Sequence, residues 1–226
     1  MPHPLDDLLN AVPAELLSES GEVFYSGRTA FEQPAPLYVL GLNPGGNPDD
    51  PDMYTIVEAI AIARGEDRSA WSAYVDESWA GRAPGAHPHQ LSIIQLFRQC
   101  GLDPRRVPAA NAIFVRSVGE AAIAGRMEEF MEACWQVHDK VISTLEVRVL
   151  VCLGQSAGTW VRRQVEANTL IDEHFETNRR GWRSTTHKAA DGLQVVTLTH
   201  PSRANWVNPQ SDPTELVRRA LARAEQ

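Results

Sequence analysis

The sequence predicts an α/β fold: a three-layer α/β/α sandwich around a central, mainly parallel four-stranded sheet. Three observations predict it. Four short apolar runs rich in Val, Leu or Ile, at residues 37–40, 112–115, 147–153 and 195–199, have the character of strands covered on both faces. Helical patterns separate them, the alternation expected of a parallel sheet. No internal repeat, low-complexity tract or clear linker interrupts the 226 residues, so a single domain over 1–226 is the expected organisation.

Residues 1–30 read as an N-terminal extension, and the core runs from about 35 to 205. The first strand leaves through "GLNPGG", where Pro and Gly impose a turn. Helical patterns at 55–64 and 90–101 fall between the first two strands. Another at 126–145 precedes the third strand, and one at 156–168 follows it. Asp191-Gly192, between two strand-like stretches in 182–199, predicts a hairpin delivering the last strand. A final amphipathic helix at 213–224 has Ser211 or Asp212 placed to cap it. Two long loops, 44–53 and 79–89, are rich in Pro, Gly and polar residues and are candidates for function.

The net charge of −8 is unevenly spread. Residues 1–100 carry 5 Lys/Arg against 14 Asp/Glu, whereas residues 101–226 carry 16 against 15. A basic stretch, "NRRGWRSTTHK", stands out in the second half. This balance excludes strong non-specific binding to nucleic acid but leaves a phosphate-bearing ligand open. There is no run of 18 apolar residues, and the amino terminus lacks a basic region followed by an apolar one. A soluble, cytoplasmic protein without a membrane partner is expected. Cys100, Cys134 and Cys152 lie in apolar contexts and read as small buried hydrophobes of a reducing compartment.

In an open parallel sheet, ligands sit beyond the carboxyl ends of the strands. Three segments fall there: "GLNPGG" after the first strand, "GQSAG" after the third and "THPSRANW" after the fourth. Asn111 stands near the start of the predicted second strand. "GQSAG" matches the nucleophile-elbow pattern, so a serine hydrolase would use Ser156 as nucleophile and His200 as base, with Asp172 or Asp191 orienting the imidazole. Only 43 residues separate Ser156 from His200, little for the elements that normally carry an acid and a histidine. The same pentapeptide has a plain structural use, with Gly154 turning the chain and Ser156 capping a helix. His87 and His89, in "HPHQ", have metal-ligand spacing but no carboxylate or cysteine beside them, and no metal is expected.

Taken together, Gly41-Leu42-Asn43-Pro44-Gly45 and His200-Pro201-Ser202 resemble the two motifs of the uracil-DNA glycosylase superfamily. The first resembles the G-x-N-P-G form of its mismatch-specific and single-strand-selective branches. "VRVLVCLGQSAGTW" is similar to the third strand and its turn into a helix, and "LFRQCGLDPRRVPAANAIFV" to the segment between the motifs. The likeness covers roughly residues 35–205 in order.

The resemblance implies hydrolysis of the N-glycosidic bond of uracil, or a related base, in DNA. Asn43 would hold and orient a water, and His200 would donate to the base O2 where negative charge develops. Leu42, Gly45, Tyr54 and Asn111 would border the base. Asn111 would read its edge by donating to O4 and accepting from N3–H, and Tyr54, the aromatic nearest the usual spacing, would stack on it. Gly45 takes the place of a bulky aromatic that excludes thymine in the uracil-selective branch, so larger pyrimidines are admitted. Ser202, Arg203, Asn205 and Trp206 would meet DNA in the loop that wedges into the duplex, with Trp206 alternatively anchoring the last helix in the core. The iron–sulfur branches use four cysteines and this chain has three, so no cluster and no other cofactor is expected. A monomer acting on DNA is expected. The carboxylates of "GGNPDDPD" beside the proposed mouth keep a second reading open, a non-catalytic nucleotide- or nucleic-acid-binding protein on the same fold.

Overall fold

The computed structural model describes residues 3–226. In chain order its helices and strands are α1 (Pro4–Leu9), β1 (Tyr38–Gly41), α2 (Ile56–Ala63), α3 (Ala73–Asp76), α4 (Pro88–Gln99), β2 (Ala109–Asn111), α5 (Glu120–Ile123), α6 (Met127–Thr144), β3 (Val149–Leu153), α7 (Gln155–Gln164), β4 (Thr169–Phe175), β5 (Arg183–Lys188), β6 (Gln194–Leu198) and α8 (Thr214–Ala224).

The strands form one six-stranded mixed sheet in the order β2-β1-β3-β6-β5-β4. The first four are mutually parallel, and β5 and β4 continue the sheet antiparallel. The expected four-stranded parallel sheet is therefore only part of it. The predicted hairpin is β5–β6, turning at Asp191, whose carboxylate accepts from the Leu193 N–H at 3.0 Å. What the apolar pattern missed is β4. Leu170, Ile171 and Phe175 are all exposed, so the strand carries no buried face to imprint a period-two signal.

Alternation along the parallel strands builds two cores. Tyr38, Leu40, Leu150, Cys152 and Val195 pack with Leu5 and Leu8 of α1, Cys134, Val137 and Val141 of α6, and Trp160 and Val161 of α7. Val39, Val149, Val151, Val196 and Leu198 pack with Ile93, Leu96 and Phe97 of α4 and Leu216, Val217 and Ala220 of α8. Helices thus cover both faces, which is why every residue of β1, β3 and β6 is buried. The segment before β1 belongs to this fabric. Leu5, Leu8, Phe24 and Phe31 are buried, and Phe24 and Gly21 bridge to Ala110 and Val115, covering the free edge of β2.

Two boundary differences matter for the site. The second strand is Ala109–Asn111, three residues earlier than the predicted 112–115. Ala112, Ile113, Phe114 and Val115 are apolar because they are buried, not because they are strand. Asn111 therefore closes β2, in register with Gly41 at the end of β1. Ser211 and Asp212 both precede α8, and it is the Asp212 carboxylate that accepts from the Thr214 N–H, at 2.9 Å. Among the described residues no helix is long and apolar enough to cross a membrane.

Candidate functional site

Because β2, β1, β3 and β6 run parallel, the residues that follow them emerge at one edge of the sheet. Asn43 follows β1, Asn111 ends β2, Gly154 follows β3 and His200 follows β6. The placement of these side chains on a common edge comes from register, and their orientation comes from hydrogen bonding.

Asn43 is half-buried and its amide nitrogen donates to three oxygens: Pro44 O at 2.9 Å, Ser117 Oγ at 2.8 Å and Val115 O at 3.4 Å. Ser117 Oγ passes its own proton to Gly119 O at 3.0 Å. Three acceptors around one end of the amide fix which end is NH2. Oδ1 accepts no hydrogen bond among the described residues and is left as a fixed acceptor for a small donor such as water.

His200 is oriented from its other side. The Ser202 N–H donates to Nδ1 at 3.1 Å, and Ser202 Oγ lies 2.7 Å from the same nitrogen. A backbone N–H only donates, so Nδ1 carries a lone pair and the neutral ring holds its proton on Nε2. Burial, and next the Arg203 guanidinium, lower the imidazole pKa below its ordinary 6.5, against a smaller opposing effect of Glu120. The ring is a neutral Nε2–H donor at neutral pH. Gly154 (φ 104°) lets the chain turn beneath it, and a Cβ at Gly154 would lie 3.4 Å from the imidazole.

Asn111 is 6% exposed, and its Nδ2 is buried without a partner. A buried amide donor left unmade costs roughly 1–3 kcal/mol, and such orphans call for a ligand or water. Gly41 is what admits it: a Cβ there would overlap Asn111 Oδ1. Beside Asn111 lies the Tyr25 hydroxyl, and near that the Glu22 carboxyl. Burial, and next the charge of Glu77, raise the Glu22 carboxyl to about 7, with Arg68 and Arg116 opposing.

A run of rings links His200 to Asn111. The His89 ring meets His200 edge-on at 5.2 Å. Trp79 lies 5.6 Å from His89 and Tyr25 lies 6.2 Å from Trp79, while Tyr74 stacks on His89 at 6.4 Å. The Trp79 indole N–H donates to Glu77 at 2.9 Å. Sequence reasoning missed Glu22, Tyr25, Tyr74 and Trp79 as site residues. The only signal was the long loop holding Trp79 and "HPH". His87 proves to be a helix cap, its Nδ1 accepting from the His89 N–H at 3.3 Å. His89 is half-buried with its Nε2 enclosed, and the burial of the ring, followed by the neighbouring His200 and His87, lowers its pKa to about 3. Among the described residues no cluster of three His, Cys, Asp or Glu side chains could hold a metal ion.

The remaining expected residues divide. Gly45 is exposed with open space where a side chain would stand, and Arg116 donates to its carbonyl at 2.7 Å. Ser202, Arg203 and Asn205 are exposed on the loop after β6. Trp206 is not: it is 0% exposed and packed in the core with Leu216 and Val217. It anchors α8 and cannot wedge into DNA. Leu42 packs against the apolar core rather than standing free. Tyr54 is 45% exposed and, among the described residues, makes no ring contact with the aromatic side chains around His200.

The hydrolase constellation is not assembled. Ser156 Oγ donates to Glu120 at 2.6 Å, Asp172 is ion-paired with Arg219 and Arg223, and Asp191 sits in the turn before β6, at the end opposite His200. Gly158 serves packing, since a Cβ there would strike the Thr197 side chain. Two surface hollows, of about 400 Å³ beside Ser156 and Trp160 and about 240 Å³ beside Arg116 and Phe130, flank the edge. Neither is lined by Asn43, Asn111 or His200. Tyr25, Trp79 and His89 lie along the run of rings that ends at His200, and all three are half-buried.

No protein-family model matches the chain, and no curated protein matches it.

Proposed function

We propose that the protein is an N-glycosidase of the uracil-DNA glycosylase type, acting on uracil or a related pyrimidine in DNA. The observation that carries this reading is the pairing, at one sheet edge, of a fixed amide acceptor at Asn43 with a neutral Nε2–H donor at His200. Departure of a base leaves its bonding electrons on the pyrimidine ring, with negative charge on O2 and a cationic sugar carbon behind. A neutral imidazole N–H stabilises that anion without requiring a full positive charge in a buried site. Water held by Asn43 Oδ1 then adds its oxygen to the sugar carbon, and its proton is taken up by the departing base or by solvent. The amide is too weak a base to remove that proton early, which suffices when the glycosidic bond is mostly broken before attack. Asn111 Nδ2, which faces no acceptor beyond the adjacent Tyr25 hydroxyl, offers the donor that a 4-oxo pyrimidine requires, and the open space at Gly45 tolerates a 5-substituent.

The test is release of base from single- and double-stranded oligonucleotides carrying one uracil, read as alkali-sensitive strand breaks. Asn43→Ala and His200→Leu are each expected to lower the rate by about a hundredfold or more. Breaks that persist unchanged in both variants would overturn the assignment, as would covalent labelling of Ser156 by a fluorophosphonate. A second reading, binding of a nucleotide or nucleic acid without cleavage, stands because exposed Asp49 and Asp52 on the Asn43 loop oppose a phosphate backbone at that edge and so weigh against cleavage there. It predicts oligonucleotide affinity, held by other parts of the surface, with no breaks.

A further inference from the structure

Beside the His200 loop stands the tip of the β4–β5 hairpin, which takes no part in the chemistry above. Its sequence from 177 to 183, "TNRRGWR", has three arginines and no acid. The tip is firmly built. Thr177 N–H donates to Gln210 O at 2.9 Å, Asn178 Nδ2 to Glu176 at 2.7 Å and Arg180 to Arg203 O at 2.6 Å. Arg180 also pairs at 3.1 Å with Glu176, whose side chain is 2% exposed. At the far end, Asp172 of β4 is held by Arg219 and Arg223 of α8, both at 2.8 Å. The hairpin is therefore fastened to the helix layer at its base and to the His200 loop at its tip.

Its outer surface offers a ring and free charge. The Arg180 guanidinium lies 4.3 Å from the centroid of Trp182, which is nevertheless 37% exposed. Arg183 is spoken for by Glu173, but exposed Arg179 and Arg203 form no ion pair among the described residues. Arg179 lies three residues before Trp182, and Arg203 is tied through its carbonyl to Arg180, so two guanidinium groups without ion pairs share this tip with an exposed indole. A cation and a π-face side by side suit a strand that alternates phosphate with flat base.

We propose that this hairpin tip grips the nucleic-acid strand flanking the reacting nucleotide, with Trp182 stacking on an unpaired base and Arg179 and Arg203 on phosphates. The proposal rests on the glycosidase reading for the identity of the strand. It is tested on the full chain with Trp182→Ala and Arg179→Ala, both exposed positions outside the reacting site, using a fluorescein-labelled single-stranded oligonucleotide with one uracil. Anisotropy at several salt concentrations gives affinity, and single-turnover release at saturating oligonucleotide gives chemistry. Trp182→Ala is expected to weaken binding about tenfold or more. Arg179→Ala should make the slope of log affinity against log salt shallower by about 0.7. Saturated release should stay at the wild-type rate in both. Wild-type affinity and salt slope in both variants, with base release intact, would overturn the grip and leave the glycosidase standing. Trp182-dependent binding without release in the wild type would keep the grip and remove the catalytic reading. Self-association measured by light scattering, abolished by Phe175→Ser while oligonucleotide affinity is zero, would make this edge a contact between copies and overturn the proposal.

Discussion

The two halves of the sheet live in different environments. β2, β1, β3 and β6 are buried at every residue, whereas β4 has no buried residue at all. The buried half holds its carboxyl edge rigidly, and that edge carries Asn43, Asn111 and His200. β4 is held by ion pairs and ladder hydrogen bonds and keeps its apolar side chains exposed, whereas Ser184, Thr186 and His187 of the neighbouring β5 are buried. On the proposed function the difference would separate two tasks: precise placement of reacting groups needs dense packing around them, while contact with a long polar ligand needs accessible side chains.

Three substitutions sharpen that contrast. Trp206→Ala removes a fully buried ring from the core under α8 and should cost about 3–5 kcal/mol in urea unfolding. A loss below about 1 kcal/mol would mean that the loop after β6 faces solvent as a wedge would. Glu22→Gln acts at the buried edge through charge. The folded-state carboxyl, raised to about 7 from 4.5, holds its proton more tightly than the unfolded chain does. Stability therefore falls as pH rises from 4.5 through 7, and the full cost is present above that window. Glutamine should flatten this fall and stabilise the protein by about 2–3 kcal/mol at pH 8, measured as unfolding free energy across pH 5–8. An identical pH slope in both proteins would place the carboxyl in water. Leu170→Thr on the edge strand should change stability by less than about 0.5 kcal/mol, because the side chain is already 45% exposed. A larger loss would show that β4 is covered in solution.

The two halves also differed in legibility. β1, β3 and β6 were readable because burial on both faces demands an unbroken apolar run, and their ends fell within two residues of expectation. β2 was displaced because Ala109 and Ala110 are weak strand signals, while the buried loop 112–115 imitates a strand. Asn43 and His200 were singled out through turn chemistry and motif resemblance, and the structure places both after strands that end at one sheet edge. The grouping of Tyr25 and Trp79, both on loops, with His89 at the start of α4 was not foreseen, since these residues come together only across remote stretches of sequence. Trp206 was undecided because an indole suits both a core and a DNA-facing loop, and only the position of α8 above it resolves the choice.

The amino-acid order alone determined the α/β class, the parallel strands and the turns that end them, because backbone preference and apolar runs are encoded within about ten neighbouring residues. Only the tertiary structure decided that the sheet continues into an antiparallel pair whose outer strand is exposed, that Asn111 ends its strand at the shared edge, and that a run of rings joins it to His200. Those features depend on which surfaces meet when distant segments pack, and hydrophobic burial is non-directional until the partner is in place.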